Sequence, residues 1–209
     1  IKVFGLAIGL AAAILITLFV RDEMSFDRFW QDADELYRLD TTWIFPGRTP
    51  QHSAITSGPA GQALLEYFPN EITASARVNN KEPTLTIEDR VYVEPVSWVD
   101  PSVLDIFDFE SLSGDIQGTL ADNNGLVLSR SLASKYFGEK NPIGEILTVS
   151  LYGVTRDYRV GAVIQDLSPN THLNIQAMVK IVEQDFEESA WWMFKNWKAI
   201  NDLNGTWTD

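Results

Sequence analysis

The chain has 209 residues, 45% of them hydrophobic, a formal net charge of −13 and no cysteine. This composition supports a packed core and argues against disorder, and the missing cysteines exclude disulfides and cysteine-based zinc sites. The acidic surface opposes nucleic-acid binding and flat docking on anionic lipid.

The charge is unevenly spread. Lys2 and Arg21 are the only charged residues up to position 21, so residues 22–209 carry −15. Between these two cations, Val3–Val20 reads VFGLAIGLAAAILITLFV. At about 1.5 Å of rise per residue, a helix of this length crosses most of a roughly 30 Å hydrocarbon layer. A buried core helix is usually shorter. A cleavable signal has an apolar run of about 7–15 residues and a small-x-small exit. Leu18-Phe19-Val20-Arg21-Asp22 offers no such exit. Residues 1–21 are therefore read as an uncleaved transmembrane helix. Gly5, Gly9 and Ala13 recur at every fourth position and are helix-packing candidates, because small residues at that spacing let another helix approach in lipid. The chain lacks an initiator Met and opens at the edge of the span, so it is expected to be part of a longer protein and to continue past Asp209.

After Arg21 the sequence DEMSFDRFWQDADELYRLD places Phe26, Phe29, Trp30, Ala33 and Tyr37 at helical spacings. A stalk helix is expected here, with Ser25 as its N-cap. Asp27, Asp32, Asp34 and Glu35 read as its solvated positions, since no oxygen-rich loop orders them around a cation. Tyr37–Phe45 reads as a strand ended by Pro46-Gly47, and a helix follows from Ser57 with Pro59 in its first turn and Pro69 beyond its end. Strands are expected at Ile72–Val78, Thr84–Glu88 and Val91–Val99, with a turn at Glu88-Asp89-Arg90. Asp100-Pro101 opens a short helical turn, and Asn123-Asn124-Gly125 turns into a brief strand at Leu126–Leu128. Ser129 or Ser131 caps a helix carrying Leu132, Ala133, Tyr136 and Phe137, stopped by Gly138. Ile146–Leu151, Tyr158–Ile164 and Ile175–Val182 complete the strands, with a Pro169-containing loop before the last. The alternation predicts an α+β extracytoplasmic domain over 22–209, with about 84–165 as a β-rich lobe inserted in an α+β lobe.

The chain offers little chemistry. His52 and His172 have no G-x-S-x-G elbow and no spaced metal pair beside them, and His172, in Pro-Asn-Thr-His, suits a local hydrogen-bonding role. GLAIGL lies in the span and lacks the Lys-Ser/Thr end of a phosphate loop. No catalytic, cofactor or metal residues are expected, and any ATP hydrolysis must come from elsewhere. Asn204-Gly205-Thr206 is a formal glycosylation acceptor, and Trp191, Trp192 and Trp197 suit packing or an interface.

Several stretches, in order, resemble permeases of MacB/FtsX-type ABC transporters. They are FGLAIGLAAAILITLFVRDEMSFDRF, DADELYRLD, FPNEITASARV, WVDPSVLDIFDFESLSGD, NNGLVLSRSLASKYFGEKNPIGEILTV and YRVGAVIQDLSPNTHL. The resemblance implies a first transmembrane helix followed by a two-lobed periplasmic core domain at the bacterial inner membrane. It implies a separate cytoplasmic ABC ATPase as partner, a second permease copy, and motion of the domain that expels or releases a substrate, in contact with other periplasmic proteins. It brings no catalytic residues and no cofactor. The alternative is the extracytoplasmic sensor domain of a signalling receptor, which the sequence beyond Asp209 would distinguish by its spans.

Overall fold

The computed structural model describes residues 2–182 and 195–200. The uncharged run forms α1, Lys2–Glu23, ending two residues later than expected, and every residue from Phe4 to Glu23 is exposed. Among the described residues it is the one helix long and apolar enough to cross a membrane. An apolar helix with no face against protein leaves its side chains to be covered by lipid or by other helices.

The expected stalk helix over Phe26–Tyr37 does not form. Residues 24–32 run in turns, Ala33–Glu35 make a single 3₁₀ turn, and Tyr37 lies in a strand, β1 (Leu36–Leu39). Asp27 has φ +57°, left-handed backbone that a right-handed helix cannot contain. Ser25 is not an N-cap: its Oγ donates to the carbonyl of Asp22 at the end of α1. Apolar spacing alone suggested the helix, and hydrogen bonds to a distant loop override it.

By internal contacts the chain forms two compact units. The first takes residues 1–34 and 167–174; the second takes residues 35–166 and the chain from Ile175. The second unit is the expected α+β domain. Its 11-stranded sheet runs β1-β13-β4-β7-β12-β9-β11-β10-β5-β6, with β8 also on β11. These strands are β4 (Ile72–Lys81), β5 (Thr84–Ile87), β6 (Arg90–Val93), β7 (Val96–Val99), β8 (Ser111–Gly114), β9 (Gly125–Ser129), β10 (Ile146–Leu151), β11 (Val154–Ile164), β12 (Ala177–Lys180) and β13 (Lys195–Ile200). β7 with β12 and β9 with β11 are parallel; the other pairs are antiparallel. Residues 84–165 supply strands β5 to β11 together with two short helices, and they share this one sheet with strands from both flanks. The short hairpin of β2 (Thr41–Trp43) and β3 (Gln51–Ser53) stands apart as a separate sheet.

Local chemistry sets the breaks. Glu94-Pro95 divides the expected strand Val91–Val99 into β6 and β7, since proline lacks the N–H a ladder needs. Glu88-Asp89 is a two-residue turn between Ile87 and Arg90, with Glu88 at φ +53°. β4 continues through Asn79-Asn80, where Asn80 Oδ1 accepts from Ser97 Oγ of β7 at 2.8 Å. Among the described residues three α-helices belong to the domain: α2 (Ala60–Tyr67), α3 (Ile116–Ala121) and α4 (Arg130–Phe137). Ser129 caps α4 as expected, accepting from the Leu132 N–H, and α3 was not foreseen.

All five residues of β9 and all four of β7 are buried, which accounts for the apolar run Leu126–Leu128 and leaves Ser97 and Ser129 as buried hydroxyls with hydrogen-bond partners. The core gathers Leu85, Trp98, Leu126, Leu128, Tyr136, Leu147, Val160 and Val179. At its side the Tyr92 and Tyr136 rings meet at 4.8 Å, and Lys135 pairs with Glu94. Burial first, then the neighbouring Glu94, pushes the Tyr136 phenol well above the usual range. Arg77 and Asp100 form a two-pronged ion pair, at 2.8 and 2.9 Å, between β4 and the Pro101 turn. Trp191, Trp192 and Trp207, and the glycosylation acceptor, lie outside the described residues.

Candidate functional site

The first unit joins two segments far apart in sequence: the chain leaving α1, and the loop Leu167–Asn174 between β11 and β12. The joint is built from short polar side chains. The Asn170 amide donates to Ser25 Oγ at 2.7 Å and to Asp22 Oδ1 at 3.3 Å. The Asp27 N–H donates to the Asn170 carbonyl at 3.0 Å. The Asp27 carboxylate then accepts three hydrogen bonds: from Thr171 Oγ1 at 2.6 Å, from the His172 N–H at 3.1 Å and from His172 Nδ1 at 2.7 Å. Thr171 Oγ1 also accepts from the Leu173 N–H, so one hydroxyl serves both segments. The Phe26 ring lies 5.0 Å from the His172 ring.

The left-handed φ of Asp27 has its reason here. It turns the carboxylate and the N–H of one residue toward the same loop, which a helical residue could not do. Asp and Asn tolerate this region better than other L-residues. Partial burial raises the Asp27 pKa, but the hydrogen bonds from Thr171 and His172 outweigh it and hold the carboxyl below its ordinary value of 3.8. A folded pKa below the unfolded one means stability that is fully present above the unfolded value. It is lost as pH falls through the lower, folded value. Hydrogen exchange of the 167–174 amides, corrected for intrinsic rates, should show protection held just above pH 3.8 and lost below it. Asp27→Asn should flatten that acid limb.

The residues expected to matter are only partly brought together. Phe26 and Trp30 belong to the joint's unit; Trp30 is buried, and the exposed Phe29 ring stacks at 4.5 Å from it. Tyr37 belongs to the second unit. Gly5, Gly9 and Ala13 are exposed on α1, and a Cβ added at either glycine would meet nothing within 4 Å. His172 is a hydrogen-bonding residue, but its partner Asp27 lies outside its own loop, so the expected local role is not the one it plays. His52 Nδ1 lies 2.9 Å from Thr42 Oγ1 in the β2–β3 hairpin. Among the described residues no group of three or more His, Asp or Glu is placed to hold a metal ion. Asp22, Asp27, Asn170 and Thr171 were not foreseen as a set. Asp27 lies 145 residues from His172, beyond the reach of any local pattern.

The profile of the MacB-like periplasmic core domain matches residues 1–192, so the match runs through the span, the joint and most of the sheet. No curated protein sequence matches the chain. Among solved structures, a domain from Porphyromonas gingivalis described as a permease protein is similar with a TM-score of 0.69 and 21% identity, over 83% of this chain and 76% of that one. The periplasmic region of MacB from Actinobacillus actinomycetemcomitans gives 0.61 and 13%, over 87% and 79%. The extracellular domain of the ABC-type transporter YknZ from Gram-positive bacteria gives 0.56 and 11%, over 81% and 84%. At these identities the likeness is one of fold.

Proposed function

The chain belongs to the family of MacB-like periplasmic core domains, and from that premise we propose that it is part of a membrane permease subunit of an ABC-type transporter. In this reading α1 sits in the inner membrane and the α+β domain stands in the periplasm. A separate cytoplasmic ATPase hydrolyses ATP, this chain performs no catalysis, and a second permease copy completes the membrane part. Motion started at the ATPase passes along α1 into the domain and moves or releases a substrate, in reach of other periplasmic proteins.

One observation carries this reading: the residues leaving α1 are hydrogen-bonded to the loop that links β11 to β12. A displaced α1 would draw on that loop directly, without an intervening flexible linker. Coupling between distant sites needs such a continuous, packed connection.

The full-length protein, reconstituted with its ATPase in lipid vesicles, tests the reading. Hydrolysis stimulated by the permease and export should both require the two proteins together. Gly9→Leu should weaken assembly and coupling, because a large side chain on the small-residue face holds helices apart. Assembly and coupling unchanged by Gly9→Leu would make that face merely compositional. Full-length protein that stimulates no ATPase, and carries a kinase past a second span, would replace the permease reading with the sensor reading.

A further inference from the structure

We propose that the β2–β3 hairpin is a second membrane contact, with its tip, Trp43 to Arg48, seated in the headgroup layer of the bilayer that α1 enters. Three observations meet at this tip. Thr41, Thr42 and Trp43 pair with Ser53, His52 and Gln51, and the hairpin belongs to no larger sheet. Its end is an ordered turn: the Arg48 N–H donates to the Phe45 carbonyl at 3.1 Å, and Gly47 takes φ +75° after Pro46. Proline then glycine at the two central positions is the type II pattern. The turn presents Trp43, Ile44 and Phe45 to solvent at 49%, 77% and 46% exposure. A rigid turn offering three large apolar side chains is costly in water and favourable where lipid covers them.

Charge identifies the cover. The chain holds 29 acids in 209 residues, yet none occurs from Thr41 to Leu65, and Arg48 is the only Lys or Arg in that stretch. Other exposed apolar positions lack this setting: Val91 and Val93 on β6 are flanked by Glu88, Asp89 and Glu94. Acidic flanks repel an anionic lipid surface, and around this tip they are lifted over 25 residues, against 11 (146–156) around the exposed Tyr152 turn. Tryptophan and phenylalanine favour the membrane–water boundary, and one arginine suits a lipid phosphate. Thr41 follows Glu23, the last residue of α1, by 18 positions. A chain of that length extends at most about 60 Å, so the hairpin stays within reach of the membrane surface.

The proposal rests on α1 lying in the bilayer, and the experiment separates the two. These 209 residues contain no cysteine, so with any cysteine elsewhere in the full-length protein replaced by serine, single cysteines carry a polarity-sensitive fluorophore. The full-length protein is labelled at Ile44→Cys, at Leu15→Cys in α1, or at Tyr152→Cys on the β10–β11 turn. It is then placed in vesicles of phosphatidylethanolamine and phosphatidylglycerol with nitroxide on the headgroup or high on the acyl chain. Blue-shifted emission at Ile44→Cys, with about twofold or greater quenching by the shallow nitroxides, is the expected result, alongside none at Tyr152→Cys. Quenching at Leu15→Cys with water-like emission at Ile44→Cys overturns the hairpin contact and leaves the span standing. No lipid quenching at Leu15→Cys overturns the span reading itself. A blue shift at Ile44→Cys without lipid quenching means a protein covers the tip, and that also overturns the proposal.

Discussion

Asp27→Ala should free the loop 167–174 from the chain leaving α1. The substitution removes a carboxylate that accepts from the Thr171 hydroxyl, the His172 N–H and the His172 ring. Hydrogen bonds to a charged group contribute about 1.5–3 kcal/mol each in favourable cases, and partial exposure at Asp27 reduces their sum. A local loss of roughly 1.5–3 kcal/mol corresponds to amide exchange about 10–100-fold faster across the loop, if opening is local. β9, β11 and β12 lie in the other compact unit and should keep their protection. In the full transporter the same substitution should lower transport more than ATP hydrolysis. Transport that keeps pace with hydrolysis, with the loop demonstrably loosened, would mean the joint only supports structure.

The second large effect concerns folding. Where β9 runs parallel to β11, helix α3 lies so close that two glycines have no room for a side chain. A Cβ at Gly161 would fall on the Thr119 side chain, and one at Gly125 on the Thr119 backbone carbonyl. Gly161→Ala and Gly125→Ala should each cost about 1–3 kcal/mol, and Gly125→Ala the more, because a main-chain atom cannot turn aside. Chemical denaturation of the detergent-solubilised protein measures both. Thr119→Ala should recover more of the Gly161→Ala loss than of the Gly125→Ala loss, because the Thr119 carbonyl stays in place against Gly125. The Thr119 hydroxyl itself donates to the Asp115 carbonyl at 2.5 Å, so Thr119→Ala alone has its own smaller cost. Equal rescue of both glycine variants would show that α3 moves as a body instead.

What the sequence made legible follows from the range of the forces involved. α1 was plain because eighteen uncharged residues in a row leave no other economical reading, and α4 was plain because its cap, apolar face and terminal Gly138 are all local. Periodicity alone reads Val91–Val99 as one strand, because the apolar alternation continues on either side of Glu94-Pro95. Phe26, Phe29 and Trp30 keep helical spacing in a segment that is not a helix. Their backbone answers to Asn170, Thr171 and His172, and no window along the chain contains both partners. α3 escaped notice because its six residues, IQGTLA, include a glycine and carry no periodic face. The joint's only sequence signal is its composition: short hydrogen-bonding side chains after the span, and Ser-Pro-Asn-Thr-His in the loop.

The central claim is that motion of α1 reaches the α+β domain through this joint. The measurement that tests it most directly is transport and ATP hydrolysis by the full transporter with a flexible Gly/Ser segment inserted between Arg21 and Ser25. The same segment inserted between Tyr152 and Gly153 serves as the control. The account predicts that transport collapses with the first insertion while the ATPase still binds and hydrolyses ATP, and that the control insertion transports normally. Unimpaired transport with the Arg21–Ser25 insertion would contradict it.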